Sequence, residues 1–245
     1  MGSKAPVFVV DYDGTLSREN TPVEEKVLNA ILSLKNTYGF KLVLATARPF
    51  RDIEQFVNAG IFDALILELG GVLHFPPSDI VVFKPKWWNM VIEKIALRVP
   101  PVNKGELLYY FDENHLPQAL EVLNIISPTH PVEVKKVGSR THVFAPQGLD
   151  KGVGLTRLSR FISLEKAEII AIGDSMSDMP LFKAAGFRIA VANAEERIKV
   201  EADYVTKSLY GEGVVEGIGF FLEKHQVKKK SIFKRIVLSE DSKDG

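Results

Sequence analysis

At 245 residues, 46% of them apolar and 25% charged, the chain has the balance of a soluble globular protein and the length for one large domain or a core with an insertion. Its 31 Lys and Arg cancel its 31 Asp and Glu, which removes any global field favouring nucleic acid or an anionic membrane. The absence of cysteine excludes disulfides, thiolate zinc sites and cysteine nucleophiles; no apolar run nears the roughly 20 residues of a membrane span and no signal-peptide profile opens the chain, so a cytoplasmic protein is expected.

Val7 to Val10 reads as a short apolar strand of the kind buried in parallel sheets, ending on Asp11-Tyr12-Asp13-Gly14-Thr15. Thr21-Pro22, with Glu24 and Glu25 behind them, predict a helix start, and that helix stops near Gly39. "KLVLAT" is a second strand, Pro49 opens a helix that ends at Gly60, and "DALILEL" is a third strand broken by Gly70-Gly71. Strand, helix, strand, helix, strand predicts a parallel sheet with crossover helices.

The rhythm then changes. "HFPPSDIVVF" reads as a hairpin around Pro76-Pro77, "KPKWWNMVIEKIAL" as a helix, "LLYYF" as a strand, and "HLPQALEVL" as a helix, while "PVEVKKV" and "THVFAP" pair around Gly138-Ser139. Such a mixture predicts a small α+β insertion. Alternation resumes with a helix over 151–162, the strand "AEIIAIGD", a helix over 178–185, the strand "FRIAVAN", a helix over 195–201, the strand "DYVT" and a helix over 213–224. The expected organisation is a core of residues 1–80 and 148–225, an α+β insertion over 81–147, and a basic tail, 226–245. A frayed or packed terminus is the plainer expectation for that tail, and a short basic amphipathic helix the sharper one.

Chemistry-bearing residues recur at the carboxyl ends of the expected strands, where open α/β sheets bind ligands. Asp11 and Asp13 follow the first strand, Thr46 closes the second, Lys151 opens the helix after the insertion, and Asp174 and Asp178 follow "IIAI". Asp11, Asp174 and Asp178 offer hard anionic oxygens without histidine or thiolate, a donor set for Mg²⁺ rather than zinc. Carboxylates crowded at the end of an apolar element need cations between them, and a dication with Lys151 would supply these. Lys151, the Thr46 hydroxyl and main-chain N–H groups near Gly14 would then hold a phosphoryl group.

"DYDGT", Thr46-Ala47-Arg48, "GLDKGVGL" and "GDSMSDMPLF" resemble, in order and spacing, the four motifs of the haloacid dehalogenase superfamily. The insertion between the second and third motifs resembles the type II cap of its Cof-like phosphatases, and the resemblance covers residues 7 to 222. It implies an α/β, Rossmann-like parallel-sheet core with an inserted α+β cap, and a Mg²⁺-dependent phosphatase working through an aspartyl-phosphate. By that resemblance Asp11 is the nucleophile and Asp13 the acid and base. Asp11, the Asp13 carbonyl and Asp174 bind Mg²⁺, with Asp178 as ligand or support, and Thr46 and Lys151 hold the phosphoryl oxygens. The implied partner is a small phosphorylated metabolite, phosphoglycolate or a sugar phosphate. A phosphotransferase or mutase of the same fold and a non-catalytic scaffold are the alternatives. Ala47 and Ser177 depart from the Gly and Asn frequent at those positions, which bears on fine tuning only.

Simpler readings stand beside these. Asp11 and Asp13 alone would make a solvated turn, Thr46 a helix cap, and Lys151 a surface lysine. Asn193 either orients a motif aspartate or caps the next helix, Arg48 either reaches the phosphate or is solvated, and Glu68 either lines the crevice or is a hairpin acid. Among the cap aromatics and basic residues, one or two of Lys136, Arg140 and His142 are expected to meet the leaving group, without indication of which.

Overall fold

The computed structural model describes residues 5–162, 164, 169–225 and 227. The basic tail, expected from 226 onward, lies outside the described residues apart from Val227.

Continuous runs of β-branched and leucine side chains build the centre. β1 (Val7–Asp11) is buried along its whole length between β2 (Lys41–Ala45) and β10 (Ile169–Gly173), parallel to both. The eight-stranded sheet has the order β12-β11-β10-β1-β2-β3-β4-β5. β3 is Ala64–Leu67, β4 Val72–Phe75, β5 Asp79–Val82, β11 Phe187–Ala190 and β12 Tyr204–Val205. The chain steps outward from β1 through β2 and β3 on one side and through β10, β11 and β12 on the other. The boundary between β1 and β10 is therefore the switch point at which such sheets open a crevice. Register does the rest: Asp11 pairs with Ala45, so Thr46 stands one residue beyond, and Val10 pairs with Ile172, so Asp174 follows just past the end of β10.

The sheet is mixed, not wholly parallel. β4 runs antiparallel to β3, and β5 pairs antiparallel with β4 across a turn containing a cis Pro76–Pro77 bond. The hairpin expected at that turn thus joins the large sheet, whose pairing continues to Val82.

Helices cover the sheet: α1 (Glu25–Tyr38), α2 (Phe50–Phe56), α5 (Lys151–Leu158), α6 (Met179–Ala184), α7 (Glu196–Glu201) and α8 (Tyr210–Lys224). α1 starts later than Thr21-Pro22 suggested, and the reason is local. The Thr21 carbonyl accepts from Tyr12 Oη at 2.8 Å and Ser17 Oγ at 2.9 Å, while the Thr21 hydroxyl donates to the Arg18 carbonyl, so this segment is tied to the first loop instead of capping a helix. α8 starts three residues before the expected 213, and its glycines Gly211, Gly213 and Gly217 lie against Leu16, Thr206 and Ile189, where side chains would not fit.

The insertion forms a second, antiparallel sheet of order β6-β7-β9-β8. It comprises β6 (Asn103–Lys104), β7 (Tyr109–Asp112), β8 (Val132–Lys136) and β9 (Thr141–Pro146), with α3 (Trp88–Ala96) and α4 (Leu116–Ile126) between them in sequence. α3 buries Trp88, Val91 and Ile95, one stripe at helical spacing, and α4 buries Ala119, Val122 and Ile126 in the same way. The architecture is an α/β core carrying an α+β cap.

Core and cap are joined by an unusual carboxylate. Glu68, just after β3, is 1% exposed and has no cationic partner among the described residues. Its Oε1 accepts the Glu106 N–H at 2.7 Å, and its Oε2 accepts those of Leu107 at 2.9 Å and Leu108 at 2.7 Å, all in the turn leading into β7. A Cβ on Gly105 would run into this carboxylate, so the turn requires glycine there. Burial pushes the Glu68 pKa up, and the three main-chain donors hold it down in part. Glu68→Ala leaves the buried N–H groups of Leu107 and Leu108 and the part-buried one of Glu106 without acceptors, and is expected to cost about 3 kcal/mol in urea unfolding. A loss below about 0.5 kcal/mol, the scale of an ordinary surface change, would show that the turn is held by other contacts.

Candidate active site

The first loop brings the two expected carboxylates to different places. Asp11, at the end of β1, is buried, whereas Asp13 is partly exposed two residues on. Gly14 between this loop and β10 has φ +83°, and a Cβ there would collide with the Asp174 carboxylate, so glycine serves both the turn and the close approach. Asn193 clamps the loop from behind: its Nδ2 donates to the Gly14 carbonyl at 2.7 Å and its Oδ1 accepts the Tyr210 N–H at 2.8 Å. It therefore neither touches a motif aspartate nor caps α7; it braces the first loop against the start of α8.

Lys151 is delivered by helix capping. Asp150 accepts the Val153 N–H at 2.8 Å as N-cap, which makes Lys151 the first residue of α5 and directs it inward, 3% exposed. A cation at a helix N-terminus opposes the helix dipole. Two carboxylates offset that: Lys151 Nζ donates to Asp11 Oδ1 at 2.6 Å and to Asp178 Oδ1 at 2.7 Å. Burial works to lower the Lys151 pKa, but Asp11 and Asp178 outweigh it and raise it, so the amine stays protonated. Asp178 is fully buried, and its Oδ2 accepts the N–H groups of Asp174 at 3.0 Å and Ser175 at 3.2 Å in a capping box with Ser175.

Asp174 completes the group, and Thr15, which sequence reasoning had not singled out, orients it: Thr15 Oγ1 donates to Asp174 Oδ1 at 2.9 Å. Asp11, Asp174 and Asp178 each present an oxygen within 4.8 Å of the others. Three acids thus face one lysine. Burial, and then the charge of Asp178, push the Asp11 pKa well above the usual carboxylate range, with Lys151 opposing. The same two causes raise Asp174 to about 6, against the Thr15 hydrogen bond and Lys151. An excess of negative charge on hard oxygens is the environment that a small divalent cation such as Mg²⁺ relieves, and the residues present fit it.

Thr46 is buried at the end of β2. Its Oγ1 accepts the Arg48 N–H at 3.1 Å, which closes the turn and leaves the hydroxyl proton free to donate. Asp13 stands apart from the three-acid cluster. Arg48 grips it with two donors, Nε to Oδ2 at 2.6 Å and Nη2 to Oδ1 at 2.7 Å, and Nη2 also reaches Asn20 Oδ1 at 2.7 Å. Arg48 is thus held by Asp13 and Asn20 instead of being solvated, while its Nη1 makes no hydrogen bond among the described residues.

These residues line one cavity of about 700 Å³ between core and cap, whose walls include Asp11, Asp13, Thr46, Lys151 and Asp174. The cap closes it with Asn103, Tyr110, Lys136 and the tip Val137–Ser139. Among the described residues three hydrogen bonds cross the gap at the cavity: Tyr110 Oη to the Ala47 carbonyl at 2.6 Å, Asn103 Nδ2 to Asp52 Oδ2 at 2.8 Å, and the Ser139 N–H to Glu19 Oε1 at 2.8 Å. Of the three basic cap residues, Lys136 lines the cavity. Arg140 instead points to Asp112 and Glu113, and His142 is buried against Phe111. Glu68 anchors the cap and does not line the cavity; its neighbour Leu69 does.

A β-strand tip with a buried carboxylate against lysine, two further acids and a threonine hydroxyl is the arrangement of the four motifs assembled in space. The family model for haloacid dehalogenase-like hydrolases matches residues 8–96 and 89–218. The chain belongs to that family. Among its relatives, the phosphoglycolate phosphatase of Methanosarcina acetivorans is 33% identical over 89% of this chain and 96% of its own. Phosphoglycolate phosphatase 2 of Saccharolobus solfataricus is 31% identical over 95% and 99%. The crystal structure of a Thermoplasma acidophilum protein superposes with a TM-score of 0.72, at 21% identity, over 92% of this chain and all of that one. With the family and these relatives in view, this haloacid dehalogenase-like hydrolase is a phosphatase. No helix among its described residues is long and apolar enough to cross a membrane.

Proposed function

We propose that this hydrolase is a Mg²⁺-dependent phosphatase that hydrolyses a small phosphorylated metabolite, phosphoglycolate foremost, through an aspartyl-phosphate on Asp11. The observation that carries the reading is Asp11 itself, buried at a strand end, held by Lys151 at 2.6 Å and open to the cavity. The names of the relatives support phosphoglycolate over a sugar phosphate.

Asp11 attacks phosphorus, and the bond from phosphorus to the leaving oxygen breaks. Asp13, protonated and with one oxygen released from Arg48, gives its proton to that oxygen. It then takes one from the water that attacks the phosphorus of phospho-Asp11, so inorganic phosphate leaves and the Asp11 carboxylate is restored. Arg48, together with the Asn20 main-chain N–H at 3.2 Å, keeps Asp13 at the cavity wall. Lys151 and the Thr46 hydroxyl hold phosphoryl oxygens that would otherwise repel Asp11. The metal would be held by Asp11, Asp174 and the Asp13 carbonyl, with Asp178 acting through its bonds to Lys151 and the amides of 174 and 175. When bound, Mg²⁺ draws charge from the phosphoryl oxygens and neutralises the carboxylates around it. In this reading residues 81–147 form a lid on core segments 1–80 and 148–225, and the enzyme acts in the cytoplasm, where its substrates are dissolved.

Release of inorganic phosphate is measured across phosphoglycolate and a set of sugar phosphates, with Mg²⁺ and with EDTA. The reading expects phosphoglycolate to lead, EDTA to silence release and added Mg²⁺ to restore it. An isomerised product without free phosphate, or a rate indifferent to chelation, would contradict it.

A further inference from the structure

We infer that Lys136 of the cap selects substrates whose leaving group carries a second anion, a carboxylate at the far end of a short phosphomonoester. The inference rests on the phosphatase reading of the cavity and names what its roof recognises.

Among the described residues three cations line the cavity, and two of them already pair with carboxylates of the core. Lys151 bonds Asp11 and Asp178, with Ser177 Oγ at 3.4 Å, which keeps it beside the nucleophile where the phosphoryl group is proposed to sit. Arg48 gives Nε and Nη2 to Asp13 and Asn20, and its Nη1 faces Asp52 at 4.0 Å, so its charge is balanced by core carboxylates. The polar side chains of the β6–β7 hairpin are taken as well, Asn103 by Asp52 and Tyr110 by the Ala47 carbonyl. Lys136 lies at the end of β8, paired by its main chain with β9, and its ammonium makes no ion pair or hydrogen bond among the described residues, although its neighbour Lys135 pairs with Glu133. It is also the single charged residue that the cap contributes to the cavity wall.

Its position is not left to a wandering loop. The adjoining tip bonds the core through the Ser139 N–H to Glu19 Oε1, and Lys136 lines the same cavity as Asp11. A phosphoryl group seated on that floor would point its leaving group toward the roof. There an uncommitted ammonium meets the distal end, which a carboxylate satisfies and an alkyl or neutral hydroxyl end does not. A binding contact far from phosphorus is made equally in the ground and transition states, so it should act mainly on KM.

Lys136 is exposed, so Lys136→Met, which keeps the aliphatic stem, should fold and melt like the wild type. The two proteins are compared on phosphoglycolate, on ethyl phosphate (the same carbon skeleton without the carboxylate) and on p-nitrophenyl phosphate. The expected result is a loss of about tenfold to a hundredfold in kcat/KM on phosphoglycolate, carried by KM, the scale of one charge-assisted hydrogen bond. The two uncharged leaving groups should change by less than about twofold, and Lys136→Arg should recover most of the phosphoglycolate activity. Equal losses on all three substrates would mean that Lys136 only offsets the acidic floor, and would overturn the inference. So would unchanged kinetics on phosphoglycolate. If the wild type prefers phosphoglycolate and Lys136→Met keeps that preference, the inference alone fails. If the wild type itself does not favour phosphoglycolate over ethyl phosphate, the substrate reading fails and the inference falls with it.

Discussion

Asp11→Asn is expected to lower turnover by about a thousandfold or more, while the metal-free protein melts at or above the wild-type temperature at pH 7.5. The two halves of this result have different causes. An amide nitrogen or oxygen at position 11 cannot form the acyl-phosphate, so the loss lies in chemistry. Stability moves the other way because Asp11 is a strained charge: burial, and then Asp178, hold its pKa well above the usual carboxylate range despite Lys151. A carboxylate whose native pKa is raised takes up protons on folding, so its ionisation erodes stability as pH rises from the unfolded value through the native one. At pH 7.5 that penalty is present in the wild type and absent in the variant. Lys151 keeps its bond to Asp178 at 2.7 Å, so the amine does not lose all its support. Turnover by phosphate assay and thermal melting by circular dichroism read both halves. A variant that still turns over near the wild-type rate would remove Asp11 as the nucleophile.

Lys151→Met should be the most damaging single change to the fold of the site, costing about 3–5 kcal/mol at pH 8 as well as activity. Lys151 is the one cation touching Asp11 and Asp178 among the described residues, and all three are buried. Its removal leaves carboxylates facing each other in a desolvated pocket. They can escape by taking up protons, so the variant's deficit should shrink toward pH 5 and grow toward pH 8. Burial and mutual repulsion already raise Asp11, and Asp174 to about 6, with the lysine in place. Added Mg²⁺ should recover part of the melting temperature, because the donor oxygens remain, without restoring turnover. Urea unfolding at the two pH values gives the measurement; a deficit independent of pH would mean that the lysine stem, and not its charge, supports the site.

The site was legible in the sequence to the extent that its chemistry needs particular side chains at strand ends. The proposed chemistry asks for those residue types at Asp11, Thr46, Lys151, Asp174 and Asp178, and alternating strands and helices told where the strand ends fall. What stayed hidden depends on partners without a side-chain signature. Glu68 reads in the sequence equally as a crevice acid or a hairpin acid, because its three partners are main-chain N–H groups some forty residues away, which any sequence supplies. The Arg48–Asp13 pair spans 35 positions, and only the register of β1 with β2 brings its ends together. Thr15 sits inside the first motif, yet its contact to Asp174 spans 159 positions. In the cap, Lys136, Arg140 and His142 are chemically alike on paper. The turn between β8 and β9 separates them, sending Arg140 outward to Asp112 and packing His142 against Phe111. The late start of α1 has the same character, since the Thr21 carbonyl is claimed by Tyr12 and Ser17 across the first loop.

Everything proposed for the reaction passes through a covalent bond between phosphorus and one carboxylate. Acid-quenching the enzyme during turnover of phosphoglycolate, followed by peptide mass spectrometry, locates that bond directly. The account predicts a phosphoryl group on the peptide containing Asp11, lost in Asp11→Asn and absent when EDTA is added before the substrate. A phosphoryl group on another residue, or steady phosphate release with Asp11 never modified, would contradict it.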